Sequence, residues 1–350
     1  MKLVTCLAAA AATPLLFALV STEEKVAFSV AEGLSLEKSF AMSSAMSMDN
    51  FNMLMNGNPP PFPMDMEMTV EASQTVEVTD EYLAVGDGRP TKLKRTYSTL
   101  DLGGKSEMEN PMTGPMSADT SGGSELEGYA VLFDWDAQAS EYDVRYADEK
   151  QGDSALLDGL EEDMDLRALL PNRPLAIGDT YEIPPTGLVG VLAPGGNLQL
   201  KPDDAEAQQM GMGSDQNLAD MLGELTGSAT GELLAVREED GRRIAVIRLK
   251  IDIESARDMT EAMQTMMANN EDVPGGMDVQ SADVEITMQL EGELTWDLAG
   301  GHFVSLELKG DFSSTVDVAM SMDPGTGPMN IEQTIGMSGT QSYVFATTRL

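Results

Sequence analysis

Between Val284 and Trp296 apolar and polar residues alternate without a break. Val284, Ile286, Met288, Leu290, Leu294 and Trp296 occupy even positions, with Gly292 among them, and Glu285, Thr287, Gln289, Glu291, Glu293 and Thr295 fill the odd ones. After Ala299-Gly300-Gly301 the even positions from Val304 to Met322 are again mostly apolar, and after a second turn the odd positions from Ile331 to Phe345 are. A period of two gives each strand one buried and one wet face, so the last seventy or so residues predict a three-stranded antiparallel meander. A twenty-residue strand spans about 66 Å, far beyond the usual length, and must coil. Gly292, Gly310 and Gly339 stand where a bend would help.

The same period runs through the first half. Val26, Phe28 and Val30 alternate, as do Leu34, Leu36, Phe40 and Met42, and these predict the first strands. Residues 56–63, NGNPPPFP, form a loop. Met64, Met66, Met68, Val70, Ala72, Val76 and Val78 share one face of another long strand, which turns at Gly86–Pro90 and returns from Lys92 to Leu102. Residues 109–124, rich in Pro, Gly and Ser, predict a mobile loop. Short strands follow at Tyr129–Trp135 and Tyr142–Tyr146, and residues 229–238 and 243–253 form a hairpin through Glu239-Asp240-Gly241. Three short helical faces are expected: Leu156/Leu157/Leu160/Met164, Leu218/Met221/Leu222/Leu225 and Met259/Met263/Met266/Met267. An echo links Ala45–Asp49 to Ala319–Asp323 and Ser35–Glu37 to Ser305–Glu307, which a duplicated hairpin or coincidence would equally explain.

Lys2 precedes an apolar run from Leu3 to Val20, the layout of a secretory leader, so residues 1–21 are expected to be a signal peptide and the mature chain to be exported to the periplasm, envelope or medium. An uncut anchor is the competing reading. The expected organisation is an N-terminal β-rich half (22–200), a linker and short helix (201–228) and a C-terminal meander half (229–350), packed as one domain. Cys6 is the sole cysteine, so the mature chain would carry no disulfide and no thiolate metal site. With 59 acidic against 21 basic residues the formal charge is −38. That surface repels nucleic acid and anionic membranes, which are not expected partners.

No catalytic or cofactor motif survives. His302 is the only histidine, no G-x-S-x-G elbow accompanies it, and it reads as a surface residue beside a turn. Gly104-Lys105-Ser106 resembles a P-loop end, but Thr99 stands where the first glycine belongs. Glu161-Glu162-Asp163 with Asp165 reads as a solvated helix end rather than a calcium site. In the basic island Arg89/Lys92/Lys94/Arg95, Arg95 is expected opposite or next to Glu81 as a cross-strand charge pair. The anomaly is methionine: 26 residues, grouped as M-x-M and M-x-x-M. Thioethers suit Cu(I), but methionines two apart on a strand share a face with valine and leucine, and a core or adaptable apolar cavity outweighs copper.

The segment Leu170-Pro171-Asn172-Arg173-Pro174-Leu175-Ala176-Ile177-Gly178-Asp179-Thr180-Tyr181 resembles an L-P-x-x-P-x-x-x-G-D-x-aromatic stretch of uncharacterised exported bacterial β-rich families, and implies their fold neighbourhood without an activity. The long strands are similar in architecture to the half-barrels of lipoprotein carriers. The expectation is a mainly β fold: a large curved antiparallel sheet or open half-barrel with a few covering helices. Its expected function is non-enzymatic, without cofactor. It would bind a lipid, acyl chain or peptide in a concave face lined by Met64, Met66, Met68, Met288, Met320 and Met322. A purely structural envelope protein, a Met-based Cu(I) binder and an outer-membrane barrel are the alternatives, the last disfavoured by an aromatic content of 5%.

Overall fold

A computed structural model describes residues 23–61, 66–110, 114–147, 150–203, 225–269, 277–322 and 329–350. The leader, Met64 and most of the second predicted helix lie outside these residues. The chain builds β1 (Ser35–Met55), β2 (Glu67–Gly86), β3 (Arg89–Asn110), β4 (Gly114–Gly123), β5 (Ala130–Asp136) and β6 (Glu141–Tyr146). A covering segment follows, with β7 (Thr180–Ile183), the single turn α1 (Val189–Leu192) and β8 (Lys201–Pro202). Then come β9 (Thr226–Glu239), β10 (Arg242–Asp258), α2 (Thr260–Asn269), β11 (Met277–Asp297), β12 (His302–Met322) and β13 (Met329–Arg349).

The strands form one open antiparallel sheet in the order β6-β5-β3-β2-β1-β13-β12-β11-β10-β9-β7, with β4 on the far end of β3 and β8 on β4. The first and last long strands pair along nearly their whole length, Leu36 opposite Arg349 and Met55 opposite Ile331, so both halves of the chain share the sheet. The predicted meander is present as β11–β12–β13. Two hairpins turn on two-residue loops whose central residues have positive φ, Asp87-Gly88 and Asp240-Gly241, which suits the right-handed twist of the flanking strands.

One face of the sheet is apolar, and among the described residues the covering segment roofs its proximal half. There Leu36, Phe40, Tyr82, Leu93, Trp296, Leu306 and Phe345 are buried against Met164, Leu169, Leu175, Leu188 and Leu192 of the covering segment. The L-P-x-x-P-x-x-x-G-D-x-Y stretch locks that cover to the sheet edge. Leu175 pairs with Glu24, the Gly178 amide donates to the Leu233 carbonyl at 2.7 Å, Tyr181 donates to the Leu169 carbonyl at 2.7 Å, and β7 pairs with β9. Midway along the strands, Gly292, Gly310 and Gly339 step across β11, β12 and β13. A Cβ at these sites would land on the backbone carbonyls of Glu307, Gln289 and Ala45 respectively, so the neighbouring strand comes closer than any side chain allows.

Several expectations are corrected. Val26, Phe28 and Val30 are buried but join no strand of the sheet. Residues 114–123 are strand β4 rather than loop. This glycine-rich, Pro-containing strand has its proline next to its start, where no ladder donor is needed. The first predicted helix is a single 3-10 turn, Ser154–Leu157, because Gly159 at φ 77° and Leu166 at φ 58° break the helical path. Helix α2 forms where the Met259/Met263/Met267 spacing placed one, with Asp258 accepting from the Thr260 amide at its start.

Candidate functional site

Three charged side chains on β1, β2 and β3 are among the most deeply buried groups of the protein. Lys38 stands between Leu36 and Phe40, Asp80 between Val78 and Tyr82, and Arg95 between Leu93 and Tyr97, all on the inward parity. The two-residue turn at Asp87-Gly88 sets Asp80 opposite Arg95 and Glu81 opposite Lys94, so Arg95 lies next to Glu81 as expected. Its charge partner is Asp80, however, and both point inward. Arg95 donates from Nε to Asp80 Oδ1 at 2.7 Å and from Nη2 to Asp80 Oδ2 at 2.9 Å. Lys38 Nζ bridges Asp80 Oδ2 and Asp165 Oδ1, each at 2.7 Å, and Tyr82 donates to Asp165 Oδ1 at 2.6 Å. Lys38, Asp80, Arg95, Tyr82 and Asp165 are 0% exposed.

The covering segment supplies the other half of this cluster. Its Glu161 and Glu162 carbonyls accept from Arg95 at 3.0 and 2.8 Å, and Arg167 bonds Glu162 and, at 3.1 Å, Asp163. Glu162 and Asp165 are therefore buried, not part of a solvated helix end. Burial pushes Asp80 up, but Arg95 and Lys38 outweigh it and hold its carboxyl below the ordinary value. Burial dominates at Glu162 despite Arg167 and raises it to about 7. The ionic groups are enclosed and link the sheet to its cover as a clasp, while Glu162 Oε1 and Asp165 Oδ2 are buried without a hydrogen-bond partner. His302 is likewise buried, at 4%, with Nδ1 2.8 Å from the Phe303 carbonyl, correcting its surface assignment. Among the described residues no group of three His, Cys, Asp or Glu could hold a metal ion.

On β1, β2, β3 and β13 the inward face continues past the covering segment, among the described residues. Met46, Met48, Phe51, Met53, Val70, Met68, Met108, Ile331, Ile335 and Met337 are half-buried and belong to neither apolar cluster of the protein. The second cluster is small: Met259, just before α2, and Met263 and Met267 of α2 lie on Val279, Ala282, Val316, Val318 and Met320. Gln264 ties that helix down through the Val279 carbonyl at 2.7 Å.

One row of the open face is made of methionine. Met116 on β4 is opposite Met108 on β3, Met108 is opposite Met68 on β2, and Met48 on β1 is opposite Met337 on β13. The β1–β2 register ends at Ser47 opposite Thr69, and its next step brings Met48 beside Met68. Five adjacent strands thus place a methionine at one level. The spacing along each strand hints at the shared face, but only the register between strands reveals the row.

Of the six methionines assigned from sequence, the described ones do not converge. Met64 lies outside the described residues, Met66 is half-buried just before β2, and Met68 is in the row. Met288 is 1% exposed within the main core. Met320 packs under α2, and Met322 is opposite Met329 at the far end. From the level of Ser314, opposite Met337, to Met320 is six residues, about 20 Å.

The outer face holds a cleft of about 760 Å³ lined by Ser43, Glu71, Ser73, Lys105, Lys309 and Ser342 among others. Its lysines already face carboxylates. Lys105 pairs with Glu107 at 2.5 Å and stands opposite Glu71, and Lys309 stands opposite Glu291. That is a solvated, charge-laced surface remote from the apolar chemistry.

No protein-family model matches the chain, and no curated protein matches it. Among solved structures, the outer membrane protein OprG from Pseudomonas aeruginosa aligns over 91% of this chain and 97% of its own, at 6% identity and a TM-score of 0.19.

Proposed function

We propose that this is an exported, non-enzymatic protein that binds an elongated apolar molecule, a lipid or acyl chain, along the distal inward face of its sheet. The observation that carries the reading is the inward face beyond the glycine step. Its half-exposed Met, Ile, Val and Phe side chains pack against neither apolar cluster. A contiguous apolar surface of this kind is a binding surface by default. Methionine suits it, because an unbranched, polarizable side chain adapts to a flexible ligand. The proximal half supplies rigidity: its core is closed and its cover is clasped by buried ion pairs. The −38 charge repels nucleic acid and anionic head groups, which supports an apolar partner over either.

The test is a titration with an environment-sensitive apolar dye. Saturable binding near one-to-one, competed by a lipid extract, is the expected result. Dye that fails to saturate would favour a purely structural role in the envelope.

A further inference from the structure

We infer that the methionine row Met116–Met108–Met68–Met48–Met337 is a binding site for a soft monovalent metal ion, Cu(I) in chemical class. Pairs such as Met46/Met48 in the sequence carry this only weakly, since two thioethers on one strand serve equally well as core. The register changes the count. Met116, Met108 and Met68 are direct cross-strand neighbours on three adjacent strands. Directly opposed residues in an antiparallel sheet have Cβ atoms about 4.5–5.5 Å apart. Three flexible thioethers at that spacing can converge on one ion. Met48 and Met337 extend the row across two further strands.

The surroundings select for a soft cation. Met68, Met108, Met48 and Met337 are half-buried and Met116 is 52% exposed, so the row is open to an arriving ion yet apolar around it. The carboxylates nearest in sequence on β2 and β3, Glu67, Glu107 and Glu109, have the opposite parity and project from the other face. Hard divalent ions need oxygen ligands and find none in the row itself, whereas neutral thioethers suit Cu(I). The strongly negative protein draws cations towards it in general, and the row then decides which one stays.

The experiment is an anaerobic competition between the full chain and a chromogenic Cu(I) chelator, with Zn(II) and Ca(II) as challengers. The protein is expected to withdraw Cu(I) from the chelator to a saturating stoichiometry, unaffected by either challenger, with only sulfur in the X-ray absorption shell of the bound copper. The triple variant Met68→Leu/Met108→Leu/Met116→Leu keeps volume and apolarity. It should retain its circular dichroism while losing the competition. A chelator that keeps all its Cu(I), or a triple variant that competes as well as the native chain, overturns the assignment. Dye binding is read separately, so copper can fail while the apolar-ligand reading stands, and the reverse.

Discussion

Arg95 on β3 grips Asp80 on β2 with two hydrogen bonds, 2.7 Å from Nε and 2.9 Å from Nη2, and neither side chain has any solvent exposure. The pair lies directly across the strand interface, and Lys38 closes on the same carboxylate from β1. Removing one partner leaves a buried charge short of compensation, and such losses typically cost about 3–5 kcal/mol. Arg95→Leu and Asp80→Asn are each expected to lower the unfolding free energy in urea by that order. A loss below about 1 kcal/mol in both variants would mean that the cluster is not the clasp described.

Glu162 sets a second expectation, in pH. Its folded pKa of about 7 lies above the ordinary glutamate value, because burial outweighs Arg167. The folded chain therefore holds that proton more tightly than the unfolded chain. The resulting stabilisation is complete below about pH 4.5 and is lost as pH rises through about 7. Asp80 works in the opposite sense: its carboxyl is held low, so its contribution is present above the unfolded value and lost on acidification. Urea midpoints measured from pH 5 to 8 should fall with rising pH in the native chain. Glu162→Gln, which still offers Arg167 an acceptor, should flatten that slope, and an identical slope in both proteins would refute the assignment.

Bent strands make a third claim. A side chain at Gly292 or Gly310 would strike the carbonyl of Glu307 or Gln289 on the adjacent strand. Valine would favour a flat strand by its β-propensity. In this sheet it must displace backbone, and overpacking costs about 1–3 kcal/mol. Gly292→Val and Gly310→Val are each expected to lower the melting temperature measurably. Melting at or above the native value in both would show that the strands are not pinched there.

The long strands were legible because a period of two survives thirteen residues without interruption from Val284 to Trp296. The glycines at 292, 310 and 339 were legible for the same reason, as gaps on the apolar parity. The ionic cluster was not read, although Lys38, Asp80 and Arg95 each break the apolar parity of their strands. A turn taken as five residues instead of two left Arg95 opposite or next to Glu81, and its partner Asp80 on the inward face went unnamed. Strand β4 was hidden by its glycines, serines and proline, which read as loop when no partner strand is known. The methionine row depends on register between strands, including a bulge between Met48 and Asn50, and no single-strand pattern contains it.

The account stands or falls on occupancy of the distal face, and methionine footprinting reads that directly. Brief peroxide treatment converts accessible thioethers to sulfoxides, which peptide mass spectrometry locates. In the free protein Met48, Met68, Met108 and Met337 should oxidise ahead of Met164 and Met288, which are 0% and 1% exposed. With a saturating long-chain fatty acid or lysolipid, the four distal methionines should be protected several-fold while Met164 and Met288 remain unchanged. Oxidation of those four at the same rate with and without the apolar ligand would contradict the binding face proposed for this protein.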